Sequence, residues 1–234
     1  MNWIYLSPHF DDIALSVGGL LWEQSQAGER VSVWTICGGD PPPGDYSPFA
    51  KSLHTRWQTG AEAMQVRRTE DLESCKILGA ETVHFDIPDC IYRRSPKTGD
   101  HLYASEEALW IPVHQDEELL ITQIVEQMKQ KLPPDAKVVS PLTLGNHIDH
   151  RLTRAAAESL EIPLWFYADY PYLLEAENQI TLEKYPSTVT PISPGGLLAW
   201  QNAIAAHKSQ INTFWEDHNE MRAAIQAHSQ QMKG

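Results

Sequence analysis

Disulfide chemistry has little to work with in this sequence. The 234 residues hold three cysteines, Cys37, Cys75 and Cys90, an odd number with no C-x-x-C spacing. A disulfide framework is therefore not expected, and a reducing cytoplasm is the compartment that fits. Positive charge is short as well: 18 Lys and Arg stand against 31 Asp and Glu, for a net charge of −13. With no basic stripe and an overall charge that repels polyphosphate, nucleic acid is not an expected partner. The acidity itself reads as a solvated surface. The apolar runs fall far short of the ~18 residues that span a bilayer. No basic region precedes the apolar start of the chain, so neither a membrane span nor a signal peptide is expected. Internal repeats and low-complexity tracts are also missing.

What is present is an alternation of short apolar runs with helical patterns, in a chain of the right length for one large α/β domain over residues 1–234. Strands are predicted at Trp3–Leu6, Val31–Cys37, Thr82–Phe85, Lys137–Ser140 and Pro163–Tyr167. Helices are predicted at Asp12–Gln26, Leu53–Gln65, Arg67–Leu78, Asp116–Lys131 and His150–Leu160, with a helical C-terminus from Leu197. Gly28, Gly79 and Pro133-Pro134 punctuate the ends. Strands alternating with helices imply βαβ units and a mostly parallel sheet flanked by helices. After Tyr167 the pattern turns irregular and proline-rich. Two connections are long, Gly38–Ser52 and Ile87–Gln115, and long loops in a compact domain are usually functional or disordered. Both follow strands, as do His9, His147 and Asp169. In an open parallel sheet that is the edge where ligands bind.

Two motifs carry the chemistry. Ser7-Pro8-His9-Phe10-Asp11-Asp12 places an imidazole and two carboxylates where the first strand should end, and Asn146-His147-Ile148-Asp149-His150 follows the fourth. His9 and Asp12, three apart between a strand and a helix start, can grip one zinc ion, which takes imidazole nitrogen and carboxylate oxygen. Asp11 then projects beside the metal, where a carboxylate can take a proton from metal-bound water. His147 and His150 share a face at i, i+3. One can complete the metal site, and the other can polarise a carbonyl oxygen or protonate a leaving amine. Asp149 can orient either imidazole. Taken singly these signals are weak: an Asp-Asp pair at a helix start commonly caps it, and H-x-x-H arises by chance. Their joint placement after strands is what points to a metal-dependent hydrolase. A nucleotide-binding module would instead show a Gly-rich turn after the first strand, and two carboxylates there would repel a pyrophosphate. Gly18-Gly19 lies too far into the helix for that role and suits close helix packing.

In these residues the chain resembles the PIG-L/LmbE-like zinc-dependent de-N-acetylases, the family of the N-acetylglucosaminyl-phosphatidylinositol, mycothiol and bacillithiol deacetylases. The family signature is a strand followed by A-H-P-D-D-E and a later H-x-D-H; here these read Pro8-His9-Phe10-Asp11-Asp12-Ile13 and His147-Ile148-Asp149-His150. Arg67-Arg68-Thr69-Glu70, Ile77-Leu78-Gly79-Ala80, Ile87-Pro88-Asp89, Tyr167 through Tyr172 and His207-Lys208-Ser209-Gln210 also match family segments, in order, from about residue 3 to about 212. The resemblance implies a Rossmann-like α/β fold with its site at the carboxyl ends of the strands. It implies one Zn2+ per chain on His9, Asp12 and His150, with Asp11 as general base. His147 would stabilise the oxyanion or act as acid, tuned by Asp149, and Arg67 and Asp89 would contact substrate. A helix-surface salt bridge from Arg67 to Glu70 or Asp71 is the alternative for that arginine. Phe10 and Ile13 stand where the family has proline and glutamate; neither is a ligand in this scheme.

The expected activity is removal of an acetyl group from an N-acetyl amino sugar or its conjugate. The alternatives are an amidase for larger acyl conjugates and a non-catalytic metal-binding α/β domain. The expected partner is a small water-soluble sugar amide, and homo-oligomer formation is compatible with the chain. Within the two long loops, Tyr46, Phe49, Tyr92 and Tyr103 offer aromatic faces for sugar C–H surfaces, and Asp89 can accept a hydroxyl hydrogen bond.

Overall fold

Among the described residues, short runs of β-branched and aromatic residues become five strands, all parallel, in one sheet. In the computed structural model every residue is described except 61, 176–177, 179–182, 184, 189 and 232–234. The strands β1 (Asn2–Ser7), β2 (Arg30–Thr35), β3 (Glu81–His84), β4 (Ala136–Pro141) and β5 (Leu164–Tyr167) lie in the order β3-β2-β1-β4-β5. Tyr5 of the central strand sits opposite Val33 on one side and Val139 on the other. Parallel neighbours require crossovers, supplied by α1 (Asp12–Gln26), α2 (Pro48–Arg56), α3 (Ala63–Leu78), α4 (Glu118–Lys131) and α5 (Ile148–Glu158). Three further helices, α6 (Pro194–Ala206), α7 (Ile211–Phe214) and α8 (His218–Gln231), close the chain.

The period of two along each strand divides the core. Tyr5, Val31, Val33, Val139 and Tyr167 face α1, α3 and α6, packing with Leu21, Leu78 and Trp200. Ile4, Leu6, Trp34 and Val138 face α4 and α5, packing with Ile124, Met128 and Leu152. A third cluster joins Phe10, Leu53, Trp57, Met64, Tyr92, Tyr103 and Ile148, and ties the long loops to the carboxyl edge of the sheet. The glycine pair in α1 does what its position suggested. A Cβ on Gly18 would stand 2.7 Å from the Trp200 ring, and one on Gly19 2.9 Å from it. The helix leaves regular geometry at Val17 (φ −143°, ψ 18°), and Trp200 Nε1 donates to the Ala14 carbonyl at 2.6 Å. The indole thus takes up a carbonyl at the kink while filling the space the glycines leave.

Three boundaries differ from expectation. The helix predicted at Leu53–Gln65 begins earlier, at Pro48, because Ser47 Oγ accepts from Ala50 N–H at 3.0 Å and proline suits the first helical turn. It ends at Arg56, and Gln58 turns left-handed (φ 53°). The next helix starts at Ala63 and runs through Arg67 without a break. The C-terminal helix divides at His207 and again after Phe214. Part of the irregular stretch after Tyr167 lies outside the described residues. Among the described residues, no helix is long and apolar enough to cross a membrane.

The strand order reverses at β1: the chain steps to β2 and β3 on one side, then to β4 and β5 on the other. A crevice opens where connections leave neighbouring strands in opposite directions. Both chemical motifs leave strands that border it.

Candidate metal centre

The chain turns tightly on leaving β1. His9 N–H donates to Asp12 Oδ2 at 2.7 Å, which fixes the Asp12 carboxylate at the start of α1, where the helix end favours negative charge. Asp11 occupies the cap position of α1 without capping it. Its Oδ1 accepts from Arg67 Nη2 at 3.1 Å instead.

The second motif opens α5. His147 is the cap residue, and its Nδ1 accepts the Asp149 N–H at 3.2 Å. His150 follows one turn later on the same face. The rings of His9, His147 and His150 gather with centroids 5.0 to 5.8 Å apart, although 138 residues of chain separate His9 from His147.

Asp12 lies between two imidazoles. Its Oδ2 is 3.3 Å from His9 Nδ1 and its Oδ1 is 3.3 Å from His150 Nε2. The far nitrogen of each ring is already held by another carboxylate: His9 Nε2 by Asp149 Oδ2 at 2.9 Å, His150 Nδ1 by Asp169 Oδ1 at 2.6 Å. With those nitrogens protonated, each neutral ring turns a lone pair toward a carboxylate oxygen. Facing acceptors in a buried site require a cation between them or protons on the rings. The surroundings ask for the same thing. Five buried carboxylates, Asp11, Asp12, Asp89, Asp149 and Asp169, share the site with two guanidinium groups, Arg67 and Arg93. Burial opposes charging of His150, yet Asp12 and Asp169 lift its pKa to about 10. His9 is likewise pushed well above its ordinary value against burial, by Asp89, Asp12 and Asp149. Asp12 is held well below the carboxylate range against burial, by His150 and His9. The donor set therefore fits a divalent metal on His9, Asp12 and His150, each imidazole oriented by an outer carboxylate.

His147 behaves differently. Ring nitrogens of His9, His147 and His150 lie within 4.8 Å of one another, so proximity alone would admit His147 as a ligand. Its Nδ1, however, accepts from a backbone N–H, so the neutral ring carries its proton on Nε2 and is a donor there. Burial, followed by the neighbouring His9, pushes its pKa down to about 3. A second acidic grouping, His9 with Asp89 and Asp149, is also within reach of one ion. There Arg93 Nη1 already stands 2.6 Å from Asp149 Oδ1, and Arg67 Nη1 3.8 Å from Asp89 Oδ2.

Asp89 and Arg67 both border the centre. Asp89 Oδ2 is 3.7 Å from His9 Nε2, and its Oδ1 accepts from Ile91 N–H at 3.2 Å. Arg67 is 4 % exposed, paired with Asp11 and stacked over Trp57 at 4.8 Å, so the surface salt bridge to Glu70 or Asp71 is not what this arginine makes. Glu70 binds Ser209 and Asp71 binds His84. The Asp149 carboxylate orients His9, its backbone N–H donates to His147 Nδ1, and its charge acts on the His147 ring. Phe10 and Ile13, the departures from the family signature, are both core residues, 1 % and 2 % exposed.

The expected aromatic faces are in the wrong place. Tyr92 and Tyr103 are fully buried, with hydroxyls bound to His54 and Glu117, and cannot meet a sugar; Tyr46 and Phe49 pack half-buried against the same cluster. Trp110 and Tyr172 border the imidazoles instead. Arg93, buried between Asp149 and Glu117, was equally invisible. In the sequence it is half of an Arg-Arg pair in a long loop.

The family model described as GlcNAc-PI de-N-acetylase, PIG-L, matches residues 4–160. A 2'-N-acetylparomamine deacetylase from Niallia circulans is 27% identical over 223 residues, covering 86% of this chain and 80% of that protein. The zinc-inhibited form of teicoplanin deacetylase superposes with a TM-score of 0.83 at 26% identity, covering 99% of this chain and 92% of that one. The N,N'-diacetylchitobiose deacetylase from Pyrococcus horikoshii shares the fold, with a TM-score of 0.59 at 20% identity over 100% of this chain and 79% of that one.

Proposed function

Because the chain belongs to the GlcNAc-PI de-N-acetylase (PIG-L) family, we propose that it is a zinc-dependent hydrolase removing the acetyl group from an N-acetylated amino sugar or amino-sugar conjugate. Its relatives are named as a 2'-N-acetylparomamine deacetylase and a teicoplanin deacetylase, which supports that substrate class. The observation that carries the reading is the Asp12 carboxylate set between the His9 and His150 imidazoles, with the Arg67-paired Asp11 carboxylate and the His147 ring beside it. A zinc ion held by His9, Asp12 and His150 would supply polarisation of the amide carbonyl and a lowered pKa for the attacking water.

The rest falls to the chain's own groups. Arg67 occupies Asp11 Oδ1 and leaves Oδ2 to accept the water proton. Hydrolysis ends with that proton on the leaving amine, so the same oxygen can return it. His147 Nε2–H donates to the oxygen that gains negative charge in the tetrahedral intermediate. A pKa near 3 argues for this neutral donor role over that of a general acid. Asp149 and Asp169 hold His9 and His150, and Arg67 and Asp89, which border the centre, would contact the substrate. Three free, buried cysteines support a reducing, cytoplasmic setting.

The reading is tested by acetate release from a panel of N-acetyl amino sugars before chelation, after it, and after zinc is restored. The expected result is activity that disappears with the metal and returns with zinc. Unchanged turnover in the metal-free protein overturns it.

A further inference from the structure

Four rings form a closed circuit at the mouth of the centre. Trp110 meets His147 edge-on at 5.3 Å, Tyr172 meets His150 at 6.0 Å, Trp110 meets Tyr172 at 5.9 Å, and the two imidazoles meet each other at 5.5 Å. The imidazoles are buried, whereas Trp110 is 36 % exposed. Ile111, next to Trp110, and Leu174, two residues after Tyr172, are 42 % and 51 % exposed. Tyr172 packs against backbone. Gly145, in the turn that leads to His147, has φ +78°, and a Cβ there would stand 2.4 Å from the Tyr172 ring. The tyrosine thus forms a wall against bare backbone, and Trp110 is the outer, solvent-facing member.

Trp110 exposes apolar surface directly outside the cluster of carboxylates, a face that takes hydrocarbon beyond the C–H surface of a sugar as well as that surface itself. Exposed large apolar residues grouped at a site mark a binding surface for apolar groups. We propose that Trp110, backed by Tyr172, receives an apolar group flanking the scissile amide and so sets substrate preference. This deepens the deacetylase reading and rests on it. The apolar group can be carried by the amine side, as a hydrophobic aglycone, or by the acyl side, as a chain longer than acetyl. Both present hydrocarbon next to the amide that His147 faces.

The test uses three ligands: N-acetylglucosamine, its octyl glycoside, and N-hexanoylglucosamine. kcat/KM is measured for the zinc-loaded wild type, Trp110→Ala and Trp110→Phe. The wild type is expected to prefer one apolar ligand over N-acetylglucosamine by about tenfold or more. Trp110→Ala should reduce that preference about tenfold, equivalent to ~1.4 kcal/mol, mainly through KM, while Trp110→Phe keeps most of it. The ligand that loses its advantage identifies which side of the amide the wall serves. A wild type without preference, or ratios unchanged within twofold in Trp110→Ala, overturns the proposal. Calorimetric binding of the same ligands to zinc-loaded Asp11→Asn, with and without Trp110→Ala, gives a readout that needs no turnover. Tenfold weaker binding of the apolar ligand alone is expected, and equal affinities would overturn the proposal. Absence of hydrolysis by the zinc-loaded wild type, with this binding difference intact, would count against the deacetylase reading and not against the wall.

Discussion

Replacing Asp169 by Asn probes how the metal centre is held. Asp169 accepts two hydrogen bonds at once, from His150 Nδ1 on Oδ1 at 2.6 Å and from Leu144 N–H on Oδ2 at 3.0 Å. Asparagine has one acceptor oxygen. Whichever way the amide turns, one donor meets an NH2 group. If the oxygen stays on Leu144, His150 loses the partner that keeps its Nδ1 protonated and its Nε2 lone pair directed at the centre. If the oxygen serves His150, the Leu144 amide is left buried and unpaired in the turn that leads to His147. Loss of an outer partner of a metal-binding histidine costs about 10–100-fold in metal affinity. Zinc affinity measured by chelator competition should therefore fall by roughly that factor in Asp169→Asn, with the far-ultraviolet circular dichroism unchanged. An affinity within twofold of wild type, together with a thermal midpoint that shows no unpaired Leu144 amide, would refute the assignment of His150 as a ligand held by Asp169.

His147→Ala should keep its zinc and lower kcat by roughly 10²–10³, the scale of a lost oxyanion donor; loss of the metal would place His147 among the ligands. Arg93→Met leaves Asp149 and Glu117 buried without their shared cation, which costs about 3–5 kcal/mol and should appear as a markedly lower thermal midpoint; an unchanged midpoint would show that the pair is not buried as described. His228, buried against Tyr170 and Trp200, has its pKa lowered from 6.5 by burial. The folded value lies below the unfolded one. Above pH 6.5 both states are neutral there, and below it the unfolded chain binds a proton that the fold resists, so stability falls with acid. His228→Phe should flatten that part of the midpoint-against-pH curve below 6.5, and an unaltered curve would assign the decline to other groups.

The parts of this protein that local pattern can carry were legible in its sequence. Five strands, the parallel alternation and the two motifs depend on residues within a few positions of one another. The position of His9, Asp12, His147 and His150 on one edge followed from each motif ending a strand. The outer partners did not follow. Asp149 reaches His9 across 140 residues, and Tyr103 meets Glu117 inside a loop whose folding no periodicity marks. Tyr92 and Tyr103 looked like sugar platforms because a long loop was read as exposed; its 3₁₀ turns at Cys90–Tyr92 and Glu107–Trp110 bury those tyrosines and leave Trp110 outward. The Ser47-Pro48 cap was a local signal that could have been read.

The central claim is that one carboxylate binds the metal and its neighbour does the proton chemistry. Asp11→Asn tests it most directly, because the asparagine oxygen can still accept from Arg67 while the basic oxygen is gone. Zinc content and acetate release from an N-acetyl amino sugar are measured on the same sample. The account predicts full metal occupancy with turnover reduced by about 10²-fold or more. Wild-type turnover, or loss of the metal from Asp11→Asn with retention in Asp12→Asn, would contradict it.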